Sequence, residues 1–143
     1  MVNTLNVSQY NGSPPPDSED GDHSIDGGPL YPPSDVLEIL SAGEDAITLW
    51  TKSCIRDVQN MSMDNADVAA LIGTALSQGR YTNSQWCVAK SGGAWVACDA
   101  YSVTREEWIG HAHKYMDIEY YVKFAINRSG KLILTVSCHG SRG

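Results

Sequence analysis

The spacing of apolar residues changes once along the chain, near Gly79. Before it they recur every three or four positions, and after it they alternate with polar ones. In DVLEILSAG, Val36, Ile39 and Leu40 share one helical face, with Ser34 placed as N-cap and Gly43 as the stop. Through AITLWTKSCIRDVQNM, Ile47, Trp50, Cys54 and Val58 form the stripe of a second helix. A third carries Val68, Leu71, Ile72 and Leu76 between the caps offered by Ser62 or Asp64 and the terminator Gly79.

Beyond Gly79 the segment SQWCVAKSGGAWVACDAY predicts two strands joined at Gly92-Gly93, a dipeptide suited to a two-residue turn. That turn sets Ala89 opposite Val96 and Cys87 opposite Cys98, with Trp86, Val88, Trp95 and Ala97 on the reverse side. TREEWIGHAHKYM predicts a short helix, because Thr104 and Glu107 have capping-box spacing. IEYYVKFAI and LILTVSCHG then form a second hairpin through NRSGK, with Gly130 left-handed and Asn127 facing Lys131. Val122, Phe124, Ile126, Leu132, Leu134 and Val136 fall on its core face, and Tyr121, Lys123, Thr135, Ser137 and His139 on the other. This order of elements predicts an α+β fold, with N-terminal helices packed on one face of an antiparallel sheet of about four strands.

Composition divides the 143 residues unevenly. Residues 1–33 combine prolines, glycines and acids with few aliphatics and are expected to be a disordered acidic tail ahead of an ordered domain, 34–143. Nine of the 17 acids and none of the 10 Lys and Arg precede residue 46, so the first 45 residues carry −9 and the body +2. A body at +2 tolerates a polyanionic partner without advertising one. The start of the chain lacks a basic and then apolar leader, and no apolar run approaches the roughly 20 residues of a membrane span, so a cytoplasmic address is expected. Cys54, Cys87, Cys98 and Cys138 include no CxxC pair and read as reduced thiols; a mixed metal site of Cys87, Cys98, His111 and His113 can be drawn, but buried single cysteines are the commoner case. Neither a metal nor a cofactor is expected. Trp50, Trp86, Trp95 and Trp108 read as packing anchors, and His111 and His113 as surface residues.

No phosphate loop, dinucleotide fingerprint, nucleophile elbow or HExxH motif is present, which leaves one polar sheet face as the candidate for chemistry. The predicted register sets Tyr121 opposite Ser137, with His139 diagonal to it and Lys123 one step along. Metal-free RNA cleavage needs a base for the ribose 2'-hydroxyl, an acid for the leaving oxygen and a cation for the phosphorane. Imidazole, phenol and ammonium can supply all three, although a solvated sheet face carries Tyr, Lys, Thr and Ser for solubility alone.

DVLEILSAG, a helix beginning near Thr51, MSMDNADVAALIG, Tyr81 with Ser84, WVACDAY, and YYVKFAI followed by GKLILTVSCH together resemble the MqsR-type toxins of toxin and antitoxin pairs. The resemblance covers roughly residues 35–139 and is strongest in YVKF and DAY. It implies a RelE-like fold, cleavage of mRNA and a cognate antitoxin as protein partner. It also implies catalytic Tyr121, with His139 where the family has a C-terminal lysine, and RNA contacts from Ser84 and from Lys123 or Arg128. Cys98 stands where the family has glutamine, and Thr82 or Asn83 where it has lysine. The alternative is a non-catalytic interaction module on the same fold, either a degenerate toxin or a phage-type binder of a host factor.

Overall fold

A computed structural model describes residues 5–15, 23–90 and 92–140. It is an α+β fold in which three helices cover a five-stranded mixed sheet. Helix α1 (Pro33–Leu40) starts one residue before Ser34, with Pro32 at the N-cap. Its proline at the first turn lacks only an N–H that no helical carbonyl would have used. Gly43, at φ +69°, turns the chain into a short 3-10 turn rather than directly ending the helix.

The expected second helix is divided. Ile47–Leu49 form β1, which lies parallel to the last strand, and only Lys52–Asn60 are helical (α2). Thr51 causes the division: its Oγ1 accepts from the Cys54 N–H at 3.0 Å and donates to the Val136 carbonyl at 2.8 Å, capping α2 while holding it to the sheet. This parallel edge makes the sheet mixed and gives it five strands, not about four. Helix α3 (Asn65–Gln78) follows the sequence closely, with a capping box between Asp64 and Asp67 and Gly79 at its end.

The sheet order is β1-β5-β4-β3-β2, with β2 Arg80–Val88, β3 Trp95–Ile109, β4 Lys114–Ile126 and β5 Ile133–Gly140. The segment expected to be a helix after the first hairpin instead prolongs β3 and opens β4, joined at Gly110–Ala112 with His113 in the left-handed region. Thr104 and Glu107 have capping spacing, but Arg105–Ile109 pair with Lys114–Ile118, and cross-strand bonds outcompete the local cap. Past Ser102 on one side and Tyr120 on the other, this ribbon has no further strand neighbour among the described residues and forms a two-stranded arm.

Two registers differ from expectation. In the first hairpin Cys87 faces Val96 and Gln85 faces Cys98, because the connection runs across residues 89–94 rather than turning at Gly92-Gly93 alone. The slip of two preserves the faces. In the second hairpin Asn127 pairs with Leu132, its Oδ1 accepting from the Lys131 and Leu132 N–H groups, and a bulge follows between Lys123 and Phe124. Each irregularity shifts the ladder by one, which turns Thr135 onto the core face opposite Phe124 and leaves Leu134 opposite Ala125. Two such shifts add up, and Tyr121 stands directly opposite His139.

Helices α2 and α3 pack on the face bearing Tyr101, Val103, Val122, Phe124 and Cys138. The described parts of the leader complete this layer, contrary to the expected disordered tail; residues 1–4 and 16–22 lie outside the described residues. Residues 5–9 form a short extended segment: Trp95 N–H donates to the Leu5 carbonyl, Val7 N–H to the Trp95 carbonyl, and Gln9 N–H to the Ile126 carbonyl. Tyr10, Ile25 and Leu30 pack on the buried Trp86, Trp95 and Ala97. Backbone bonds to a sheet let a segment poor in aliphatics remain ordered. Among the described residues no helix is long and apolar enough to cross a membrane.

Candidate functional site

Two polar clusters lie on the sheet, one on each face. Beneath the leader, Asp99 is fully buried, in the middle of the apolar run WVACDAY. Its carboxylate accepts from the N–H groups of Leu30 and Tyr31, each at 3.0 Å, and from Ser84 Oγ at 2.6 Å. Ser84 Oγ also meets Tyr81 Oη at 2.6 Å, and Tyr31 Oη donates to the Ala97 carbonyl at 2.5 Å. Burial pushes the Tyr31 phenol far above its ordinary range, so it stays a donor. Gly28 is needed here because a Cβ would lie 2.0 Å from Tyr81 Oη and 2.3 Å from Ser84 Oγ. Ser84, expected to touch RNA, is thus a buried strut. The signal for this cluster was in the sequence: one acid inside an apolar strand must find donors.

On the opposite face, β3, β4 and β5 align Ser102, Tyr121 and His139 in one row and Ala100, Lys123 and Ser137 in the next. The Tyr121 and His139 rings stack with centroids 5.3 Å apart and planes inclined at 28°. Lys123 Nζ lies 5.9 Å from the centre of the Tyr121 ring. All three side chains are half-buried, open enough to be reached and shielded enough to interact. Burial raises the Tyr121 phenol while the Lys123 ammonium pulls it the other way, so it keeps its proton at neutral pH. His139 Nδ1 lies 2.9 Å from the Gly140 carbonyl; a carbonyl only accepts, so Nδ1 carries a hydrogen and, in the neutral ring, Nε2 presents a lone pair. Acceptor, donor and cation are therefore on one patch.

The structure brings Tyr121, His139 and Lys123 together and places the other expected residues elsewhere. Arg128 is seven residues along from Tyr121, roughly 20 Å at strand rise, where its guanidinium donates to the Asn6 carbonyl and holds the leader. His111 and His113 sit at the exposed tip of the arm, away from Cys87 and Cys98 on the sheet. Among the described residues no group of three or more His, Cys, Asp or Glu is arranged to hold a metal ion. Trp86 and Trp95 are buried anchors as expected, whereas Trp108 is 55% exposed and meets Tyr115 edge-on at 5.3 Å.

No protein-family model, no curated protein and no solved structure matches the chain.

Proposed function

We propose that this chain is a RelE-like endoribonuclease, the toxin of a toxin and antitoxin pair, that cleaves mRNA at the Tyr121, His139 and Lys123 patch. The observation that carries this reading is the direct pairing of Tyr121 with His139, rings stacked, beside the Lys123 ammonium. His139 Nε2 removes the proton of a ribose 2'-hydroxyl. The oxygen attacks the adjacent phosphorus, and the bond from phosphorus to the 5'-oxygen breaks. Tyr121 gives its proton to that leaving oxygen, and Lys123 neutralises the charge gathering on the phosphorane. The products are a 2',3'-cyclic phosphate and a 5'-hydroxyl. His139→Ala and Tyr121→Phe are each expected to lower cleavage of a mixed-sequence RNA by roughly 100-fold or more with folding retained. Wild-type rates in both variants would remove these residues from the chemistry.

A second reading, a non-catalytic module that binds a partner protein, is favoured by the neighbouring arm. Glu106, Asp117 and Glu119 share the face of the patch, followed by the exposed pair Trp108 and Tyr115. Such a surface repels phosphate and suits a protein surface. Absence of cleavage by the wild-type chain, with and without ribosomes, selects this reading.

A further inference from the structure

The four cysteines fall into two sets with opposite surroundings. Cys54 on α2 and Cys138 on β5 are buried between helix and sheet, and burial pushes their thiols up to about 12 and about 11. They are inert by position. Cys87 and Cys98 lie on the other face, diagonal to one another across β2 and β3, because Cys87 faces Val96 and Gln85 faces Cys98. Cys98 is fully buried, while Cys87 is half-exposed one position from the end of the ladder. Gln85 Nε2 donates to Cys87 Sγ at 3.7 Å, and the Cys98 thiol points to the Val96 carbonyl at 4.0 Å, beside Cys87 on the same face. Lys123 and Tyr121 of β4 share this face and act on Cys87 electrostatically, whereas the His23 ring lies against Trp95 on the opposite face.

We propose that Cys87 is a modification site, a solvent-reachable thiol that hydrogen peroxide oxidises, and that Cys98 is its resolving thiol. In the first step the Cys87 sulfur attacks one peroxide oxygen and the O–O bond breaks. The sulfur gains that oxygen as a sulfenic acid, and the other oxygen leaves as water after protonation. In the second step the Cys98 thiol attacks the sulfenic sulfur, the S–O bond breaks and the hydroxyl leaves as a second water, giving a disulfide. The diagonal separation exceeds that of directly opposed residues, so bond formation draws the last ladder positions together. The connection at 89–94 makes this end of β2 the place where such a shift meets least resistance. Interaction with the adjacent Cys98 thiol, with help from Lys123, Gln85 and His23 and against the opposing effect of burial, holds the Cys87 thiol below its ordinary value. That direction favours the thiolate, the form that reacts. This inference does not depend on RNA cleavage.

The full-length chain, treated with hydrogen peroxide at pH 7 and then alkylated with iodoacetamide, tests it by peptide mapping. The expected result is a Cys87–Cys98 linkage that thiol reductant reverses, with Cys54 and Cys138 alkylated only after unfolding. In Cys98→Ala, dimedone should trap the sulfenic acid on Cys87. Without peroxide, alkylation of Cys87 should show a pH midpoint below that of a free thiol, and Lys123→Met should move that midpoint upward. An alkylation rate at Cys87 that rises only toward pH 9, or four free thiols after peroxide, overturns the proposal. If Cys98→Ala does not fold, the wild-type linkage map decides alone.

Discussion

Asp99, Ser84 and Tyr81 on one face of the sheet and Tyr121, His139 and Lys123 on the other use similar residue types for opposite ends. In the first cluster the leader's backbone and neighbouring side chains take up the polar groups: two N–H groups and a hydroxyl converge on one carboxylate out of water. In the second, His139 spends one ring nitrogen on its neighbour's carbonyl and keeps the other, and the Tyr121 ring stacks on His139 beside the Lys123 ammonium. A cluster whose hydrogen bonds are spent holds the fold, and one with groups in reserve can do chemistry. Substitutions in the first should therefore cost stability, and in the second activity.

The largest effect should come from removing residues 1–31. Tyr31 is 2% exposed and the segment supplies ordered partners for Trp95, Ile126 and Asp99, so the transition should fall by more than roughly 10 °C in a thermal melt. An unchanged transition would contradict the leader's place in the core. Next, Asp99→Ala strands Leu30 N–H and Tyr31 N–H and leaves the Ser84 hydroxyl with Tyr81 alone, and should cost about 3 kcal/mol or more in denaturant titration. A cost below about 1 kcal/mol would mean that water replaces the carboxylate.

The reason this leader escaped a reading of the sequence is visible in those residues. Composition counts aliphatic side chains, whereas Leu5, Val7, Gln9, Leu30 and Tyr31 are fixed through backbone N–H and carbonyl groups and one distant acid. The buried place of Ser84 is hidden from the sequence for the same cause, since its partner Asp99 comes from the next strand. Helix α3 was legible because its caps are local, Asp64 and Asp67 at one end and Gly79 at the other. The faces of the first hairpin survived a register error of two because the side-chain period is two. The second hairpin was legible only in part. One shift at Asn127 and another at the bulge beyond Lys123 add up to two, which keeps Tyr121 and His139 on their expected face, whereas Thr135 and Leu134, lying between the two, are shifted by one and change faces.

Smaller effects follow from the same comparison. Thr135 is fully buried and its Oγ1 meets no partner, so Thr135→Val, which keeps the shape and removes the stranded hydroxyl, should stabilise by about 1 kcal/mol. A loss of stability would reveal a partner for that oxygen. His139→Ala should shift stability least, by no more than roughly 0.5 kcal/mol, because its ring is half-exposed. A large loss in the melt would move His139 from the open class of cluster to the closed one.

The central claim, that the open cluster activates a ribose 2'-hydroxyl, is tested most directly by the chemistry of the cut ends. Wild-type protein incubated with a mixed-sequence RNA should leave a 2',3'-cyclic phosphate on one fragment and a 5'-hydroxyl on the other, and the same RNA bearing 2'-O-methyl groups throughout should stay intact. Cleavage of the methylated strand, or fragments ending in 5'-phosphate, would contradict the assignment of His139 as the base and Tyr121 as the acid.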